Sequence, residues 1–236
     1  MTNSTEETNN IPRHVGLILD GNRRWARERG LSTLDGHMEG EKRVREAPRW
    51  FLDRGVEIVT VYAFSTENWK RKKEEVEYLM DLLKRVLKEE TKNAIKKGHK
   101  VLISGRIGDL PGDLPARCRE VMEKTRENAK GIFNICLNYG GRTEIVDAVR
   151  TLWESGIEKE AITEEAITNS LYHPEVGDPD IIVRTSGEKR LSGFQLWESA
   201  YSELMFLDKY WPDFAESDAE GIIKEFSKRK RRFGGS

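Results

Sequence analysis

Cysteine is scarce in this 236-residue chain: Cys118 and Cys136 stand alone. They form no metal-binding spacing and no disulfide framework, so a reduced, cytoplasmic protein is expected. No apolar run approaches the ~18 residues of a membrane span, and no signal peptide is read ahead of the first strand. An excess of charge of either sign is also missing, with 40 Lys+Arg against 41 Asp+Glu. Polyanion binding by global charge is thereby excluded, and any basic site has to come from local arrangement. Walker A and zinc-protease patterns are absent. The length suits one domain with a substantial core, read here as residues 12–236. The polar leader, residues 1–11, is expected to be disordered, and the Gly234-Gly235-Ser236 end to fray.

What is present is an alternation of strands and helices. His14–Leu19 is an apolar run of strand length, followed by a short helix over Asn22–Arg29 closed at Gly30. Helix is predicted over Gly36–Arg54 with a kink at Pro48, and a β-branched, aromatic strand over Val56–Phe64. The longest predicted helix, Glu74–Lys97, carries Val76, Leu79, Met80, Leu83, Val86 and Leu87 at helical spacing. Strands Lys100–Ser104 and Ile132–Leu137 flank a helix over Pro115–Lys130. Further helices are expected over Glu144–Trp153, Glu164–Leu171 and Asp218–Lys230, with strands over Asp180–Arg184 and Leu204–Leu207. This order predicts a single-domain α/β fold, its largely parallel central sheet flanked by helices. Ligands in such sheets collect at the carboxyl ends of the strands, so Asp20, Ser65 and Arg184 are expected on one rim.

The segment His14-Val15-Gly16-Leu17-Ile18-Leu19-Asp20-Gly21-Asn22-Arg23-Arg24-Trp25 carries the strongest chemical signal. A strand end meeting a helix start favours an anion, and arginines add paired phosphate donors. Asp20 would repel a bare phosphate. It makes sense beside a divalent cation, since Mg²⁺ is typically held by one or two carboxylates and substrate phosphate oxygens. The reading is a metal-dependent diphosphate site.

These residues resemble the first signature of the cis-prenyltransferases, the undecaprenyl diphosphate synthase family. Three later segments match its other signatures in order: Ala63-Phe64-Ser65-Thr66-Glu67-Asn68-Trp69-Lys70-Arg71, Asp180–Ser192 and Ser199–Phe206. The resemblance runs from about Pro12 to the C-terminus. It implies an undecaprenyl diphosphate synthase-like fold and repeated addition of isopentenyl diphosphate to an allylic diphosphate, each addition making a Z double bond. Asp20 would help hold Mg²⁺, with Glu203 as a second carboxylate, reaching in from a neighbouring subunit. Gly21, Asn22, Arg23 and Arg24 would bind the allylic diphosphate, bordered by Trp25 and His37; Arg23 stands where the family has Gly or Arg.

The loop Ser65, Thr66, Glu67, Asn68, Trp69 and Arg71 would fold over both substrates. Asn68 would orient a proton that a diphosphate oxygen accepts, because a neutral amide is a poor base. Arg184, Arg190, Leu191 and Ser192 would serve isopentenyl diphosphate. Arg232 and Gly234, in the terminal Arg-x-Gly, would reach across a homodimer. Two departures stand out: Thr33 where relatives often carry Arg, and Lys72 where many carry Pro. The helix from Val76 to Leu87 would wall a tunnel for the growing chain, and the small Ala63 implies an open tunnel and a medium or long product. The absence of Asp-Asp-x-x-Asp leaves a helical trans-prenyltransferase without support. The alternatives are a short-chain synthase and a non-catalytic partner subunit. Nucleic-acid binding is not expected, while the product tail is expected to bring the protein to a membrane surface.

Overall fold

The computed structural model describes residues 10–229. Six strands form one sheet in the order β3-β4-β2-β1-β5-β6, and every pairing is parallel. They are β1 (His14–Ile18), β2 (Ile58–Ser65), β3 (Lys100–Ser104), β4 (Ile132–Tyr139), β5 (Ile181–Arg184) and β6 (Glu203–Phe206). The helices are α1 (Asn22–Glu28), α2 (Thr33–Leu52), α3 (Lys73–Lys97), α4 (Leu114–Lys124), α5 (Gly141–Glu154), α6 (Glu164–Thr168) and α7 (Glu216–Ser227).

From β1 the chain builds outward through β2, then returns to place β5 on the other flank of β1. Ile18 pairs with Tyr62 on one side and Arg184 on the other. That reversal opens a crevice at the carboxyl ends of β1 and β5, where a parallel sheet exposes unpaired chain ends to a ligand. Buried strands explain the continuous apolar runs. His14 is fully buried among them, its ring nitrogens engaged by Gly177 O at 3.1 Å and Thr60 Oγ1 at 2.7 Å. Burial lowers its pKa to about 4, keeping it neutral.

Several boundaries move for local reasons. Helix α2 begins at Thr33 rather than Gly36 because Ser32 and Asp35 cap each other: the Asp35 amide donates to Ser32 Oγ and the Ser32 amide to Asp35 Oδ2. Pro48 lies inside α2 without ending it. Helix α4 stops at Lys124, since Thr125 Oγ1 is tied to Val121 O and to the Val101 amide of β3. Helix α6 is shorter than expected, ending at Thr168. Among the described residues no helix is long and apolar enough to cross a membrane.

Two of the buried carboxyls are Glu144 of α5 and Glu198 in the segment that follows β5. Tyr139 Oη donates to Glu144 Oε2, while Glu198 Oε2 has no partner among the described residues. Burial, reinforced by the Glu144 charge, pushes Glu198 up to about 8. The folded state therefore keeps a proton that the unfolded chain releases above its ordinary value of 4.5, so stability falls as pH rises from 4.5 toward 8. Glu198→Gln should raise the melting temperature at pH 8 and change it little at pH 5. Equal shifts at both pH values would show that Glu198 does not hold this proton.

Candidate active site

A cavity of about 1180 Å³ opens at the carboxyl ends of the strands and runs down between α2, α3 and the sheet. It exceeds the ~300–1,000 Å³ of ordinary small-molecule sites. Its mouth is polar and strongly cationic: Arg23, Arg24, Arg27, Arg71, Arg142 and Arg184 face Asp20 and Glu67. Its depth is hydrocarbon-like, with Ala63, Val44, Leu79, Leu83, Val86, Leu87, Ile135 and Leu137 on the wall.

Asp20 lies just past β1, its carbonyl fixed by Thr185 Oγ1 at 2.7 Å and the Trp211 amide at 3.0 Å. Arg184 Nη2 donates to Asp20 Oδ2 at 2.8 Å, and Arg24 reaches the same oxygen at 3.3 Å. No hydrogen bond among the described residues engages Oδ1. Arg184 is itself buried, and its other terminal nitrogen donates to Ser192 Oγ at 2.8 Å and to Arg190 O. Arg24 also pairs with Glu188 at 3.1 Å. Gly21 turns the chain at φ 114°, and a side chain there would strike Tyr210 at 2.8 Å; only glycine suits both demands.

The second signature closes the opposite side. Thr66–Lys70 forms a 3₁₀ turn after β2. The Ser65 amide donates to Asn68 Oδ1 at 3.2 Å, so the amide oxygen of Asn68 is taken and its Nδ2 hydrogens remain to be given. His37 and Arg71 both meet Glu75 Oε1, at 3.0 and 3.2 Å. Burial lowers the pKa of His37, favouring the neutral ring, and also that of Arg71.

Of the expected residues, Asp20, Gly21, Asn22, Arg23, Arg24, His37, Ser65, Glu67, Asn68, Arg71, Arg184 and Ser192 line this one cavity. The other expected residues within the described chain do not line the cavity. Trp25 turns away, its Nε1 donating to Asp213 at 2.7 Å beneath the stacked Arg29 guanidinium. Trp69 packs edge-on against Phe64 and donates to Asn138 Oδ1 at 2.8 Å. Thr66 lies against Gly140, where an added Cβ would meet its hydroxyl at 2.8 Å. Leu191 joins the apolar cluster around Ile18 and Phe194, and Arg190 is exposed beside Glu188. Val76 and Met80 are core residues off the cavity wall, on which Leu82 sits instead.

Glu203 shows the largest difference. It starts β6 opposite Ile181, whereas Arg184 at the rim pairs with Phe206. Three residues at ~3.3 Å each separate it from the rim along the strand, and it pairs with Arg229 at 2.7 Å. Among the described residues no group of three or more His, Cys, Asp or Glu could hold a metal. Arg232 and Gly234 lie outside the described residues.

The cavity also takes in residues that sequence reasoning passed over. Gly140, Gly141, Arg142 and Thr143 open α5 at the mouth, and the Gly141 amide donates to Gly193 O at 2.7 Å. Their signal was available: Asn138-Tyr139-Gly140-Gly141-Arg142 repeats the strand, glycine, arginine, helix order read at Asp20. Thr33 is on the wall too.

Comparison with known proteins agrees with this geometry. A sequence-family model for undecaprenyl diphosphate synthase, of the prenyltransferase type, matches residues 18–234. An isoprenyl transferase of Thermotoga maritima is 48% identical over 227 residues, covering 95% of this chain and 97% of its own. A geranylgeranyl-diphosphate-specific tritrans,polycis-undecaprenyl-diphosphate synthase of Thermococcus kodakarensis is 46% identical over 234 residues, covering 97% and 89%. The crystal structure of lavandulyl diphosphate synthase from Lavandula x intermedia, in complex with dimethylallyl diphosphate, superposes with a TM-score of 0.90 at 29% identity. It covers 95% of this chain and 99% of that one.

Proposed function

Because the chain belongs to the undecaprenyl diphosphate synthase family of prenyltransferases, we propose that its cavity condenses isopentenyl diphosphate repeatedly with an allylic diphosphate to make a Z-polyprenyl diphosphate. The observation that carries this reading is the join, in one cavity, of an arginine-lined mouth to an apolar depth. Two diphosphates need the first and a lengthening hydrocarbon needs the second. The test is purified protein with labelled isopentenyl diphosphate and allylic primers of increasing length, followed by chain-length analysis. Incorporation with every primer absent from the products would overturn the reading, as would no incorporation at all.

In each cycle the allylic C–O bond breaks, the new C–C bond forms, and a proton leaves the isopentenyl unit. Charge grows on the departing diphosphate, so fixed cationic donors aimed at it lower the barrier. Arg23 and Arg24 stand on the allylic side and Arg184 with Ser192 on the isopentenyl side, holding the reactants together. Asn68, its oxygen committed to the Ser65 amide, acts as a donor that orients a diphosphate oxygen, and that oxygen accepts the proton. Asp20 fits Mg²⁺ as a single carboxylate completed by phosphate oxygens, because both arginines use Oδ2 and leave Oδ1. Bound there, Mg²⁺ would supply electrostatic stabilisation of the leaving group.

The product reading is medium to long, near undecaprenyl. Ala63 lies on the wall of the apolar depth. Each added unit needs apolar space, and its burial returns about 25 cal/mol per Å². Ala63→Leu should overpack the tunnel, shortening products while sparing the first condensation. An unchanged product distribution in the folded variant would place the tunnel elsewhere.

A homodimer completes the site in this reading. Val146, Val149 and Trp153 form an exposed stripe on α5, Trp153 at 84% exposure, of the kind a second copy covers. Arg229 holds Glu203 at the end of β6 away from its own rim, so in this reading Glu203 serves a neighbour's mouth. Deleting residues 232–236 should lower activity far more than stability. Mixing this deletion with an intact-tailed Asp20→Ala chain should restore partial activity, since one intact mouth then receives an intact tail. No restoration in verified heterodimers would assign the tail to its own subunit.

A further inference from the structure

Past His37, the residues of α2 and α3 that line the cavity are apolar except at one place. Glu41, on α2, lines it with a side chain only 9% exposed. Among the described residues its one ion pair is with Arg45, four residues on, at 3.6 Å, beyond direct hydrogen-bond distance. Arg45 continues a polar line along the outer seam between α2 and α3, where Arg49 meets the buried Glu90 at 3.1 Å. Glu41 lies one helical turn, ~6 Å, below His37 at the mouth. That depth belongs to the first isoprene units of an allylic primer, before the tunnel floor is reached.

A carboxylate there is a poor neighbour for hydrocarbon. A chain lying against α2 would strip away the remaining water, and Arg45 at 3.6 Å does not replace those hydrogen bonds. A chain running along the sheet side, over Ala63 and Ile135, avoids that cost. A short primer barely reaches this level, whereas a longer one crosses it. We propose that Glu41 is a primer-selecting residue, its charge biasing the tunnel toward short allylic diphosphates and confining longer chains to the sheet side. This rests on the prenyltransferase reading of the same cavity.

The test compares the protein with Glu41→Leu, apolar and similar in length, and with Glu41→Gln, equal in size but uncharged. Non-hydrolysable dimethylallyl and farnesyl thiodiphosphates serve as probes in calorimetry, and the natural primers in turnover. Glu41→Leu should raise the preference for farnesyl over dimethylallyl about tenfold, the scale of one altered apolar contact in a hydrophobic pocket. The change should come through a lower KM for farnesyl diphosphate, and Glu41→Gln should move part of the way. An unchanged farnesyl-to-dimethylallyl ratio in both variants overturns the assignment, and so does an equal gain for both probes. Should Glu41→Leu fail to fold, Glu41→Gln decides by the same ratio. Absence of turnover in the unaltered protein counts against the prenyltransferase reading instead, because the binding ratio is measured without turnover.

Discussion

Asp20→Asn should leave a folded protein whose turnover is lower by about 10³-fold or more, equivalent to several kcal/mol of lost charge stabilisation. Asparagine is the sharper test than alanine for a reason visible in the packing. Arg184 is buried and spends one terminal nitrogen on Asp20 at 2.8 Å. Alanine would leave that guanidinium facing nothing, and an uncompensated buried charge is strongly destabilising. Asparagine keeps an acceptor for Arg184 while removing the negative charge that a cation needs. The measurement is steady-state rate against Mg²⁺ concentration, with a thermal melt on the same sample. Near-normal activity at saturating Mg²⁺ in a folded Asp20→Asn protein would remove Asp20 from any metal role. Asp20→Ala should lose activity as well, with a melting temperature lower than that of Asp20→Asn.

Gly36→Ala should damage the protein almost as severely, though position 36 touches no substrate. Helices α1 and α2 cross so closely that a Cβ on Gly36 would stand 2.2 Å from the Asn22 carbonyl oxygen and 3.0 Å from Ala26 Cβ. A backbone carbonyl cannot rotate away, so α1 has to move, carrying Arg23 and Arg24 with it. Overpacking of this kind typically costs 1–3 kcal/mol and occasionally more. The intrinsic helix gain of alanine over glycine, ~1 kcal/mol, offsets only part of it. The expected result is a lower denaturant midpoint together with a raised KM for the allylic diphosphate. Gly40→Ala should do the same through Asn22 Oδ1, 2.4 Å from the added carbon. A Gly36→Ala protein with an unchanged midpoint would show that α1 sits more loosely on α2 than the packing indicates.

Much of the cavity rim could be read from the chain alone because its parts are local. Asp20, Ser65 and Arg184 each follow or end an apolar strand, and parallel strands carry such ends to one side. Local periodicity is a short-range property, and it located all six strands and the main helices. The ends of those helices were less legible, because caps such as Ser32–Asp35 and ties such as Thr125 to Val101 act against the simple pattern.

Side-chain direction was the part that only the tertiary structure decided. Trp25 follows Arg24 in the same signature, yet a helix advances about 100° per residue, and the Asp213 carboxylate draws the ring away from the cavity. Glu203 belongs to a matching segment, but its place at the start of β6 puts it at the other end of the sheet from Asp20. Glu41 carries no local mark of a cavity residue in the sequence, and Arg142 only the glycine-arginine pattern that follows a strand. Both acquired their surroundings only when α3 and the Ser192–Gly193 turn packed beside them. Residue types and short-range spacing determine which strands and helices form and which of their ends gather. The partners a side chain meets 24 to 188 residues away are set by packing, which no local pattern encodes.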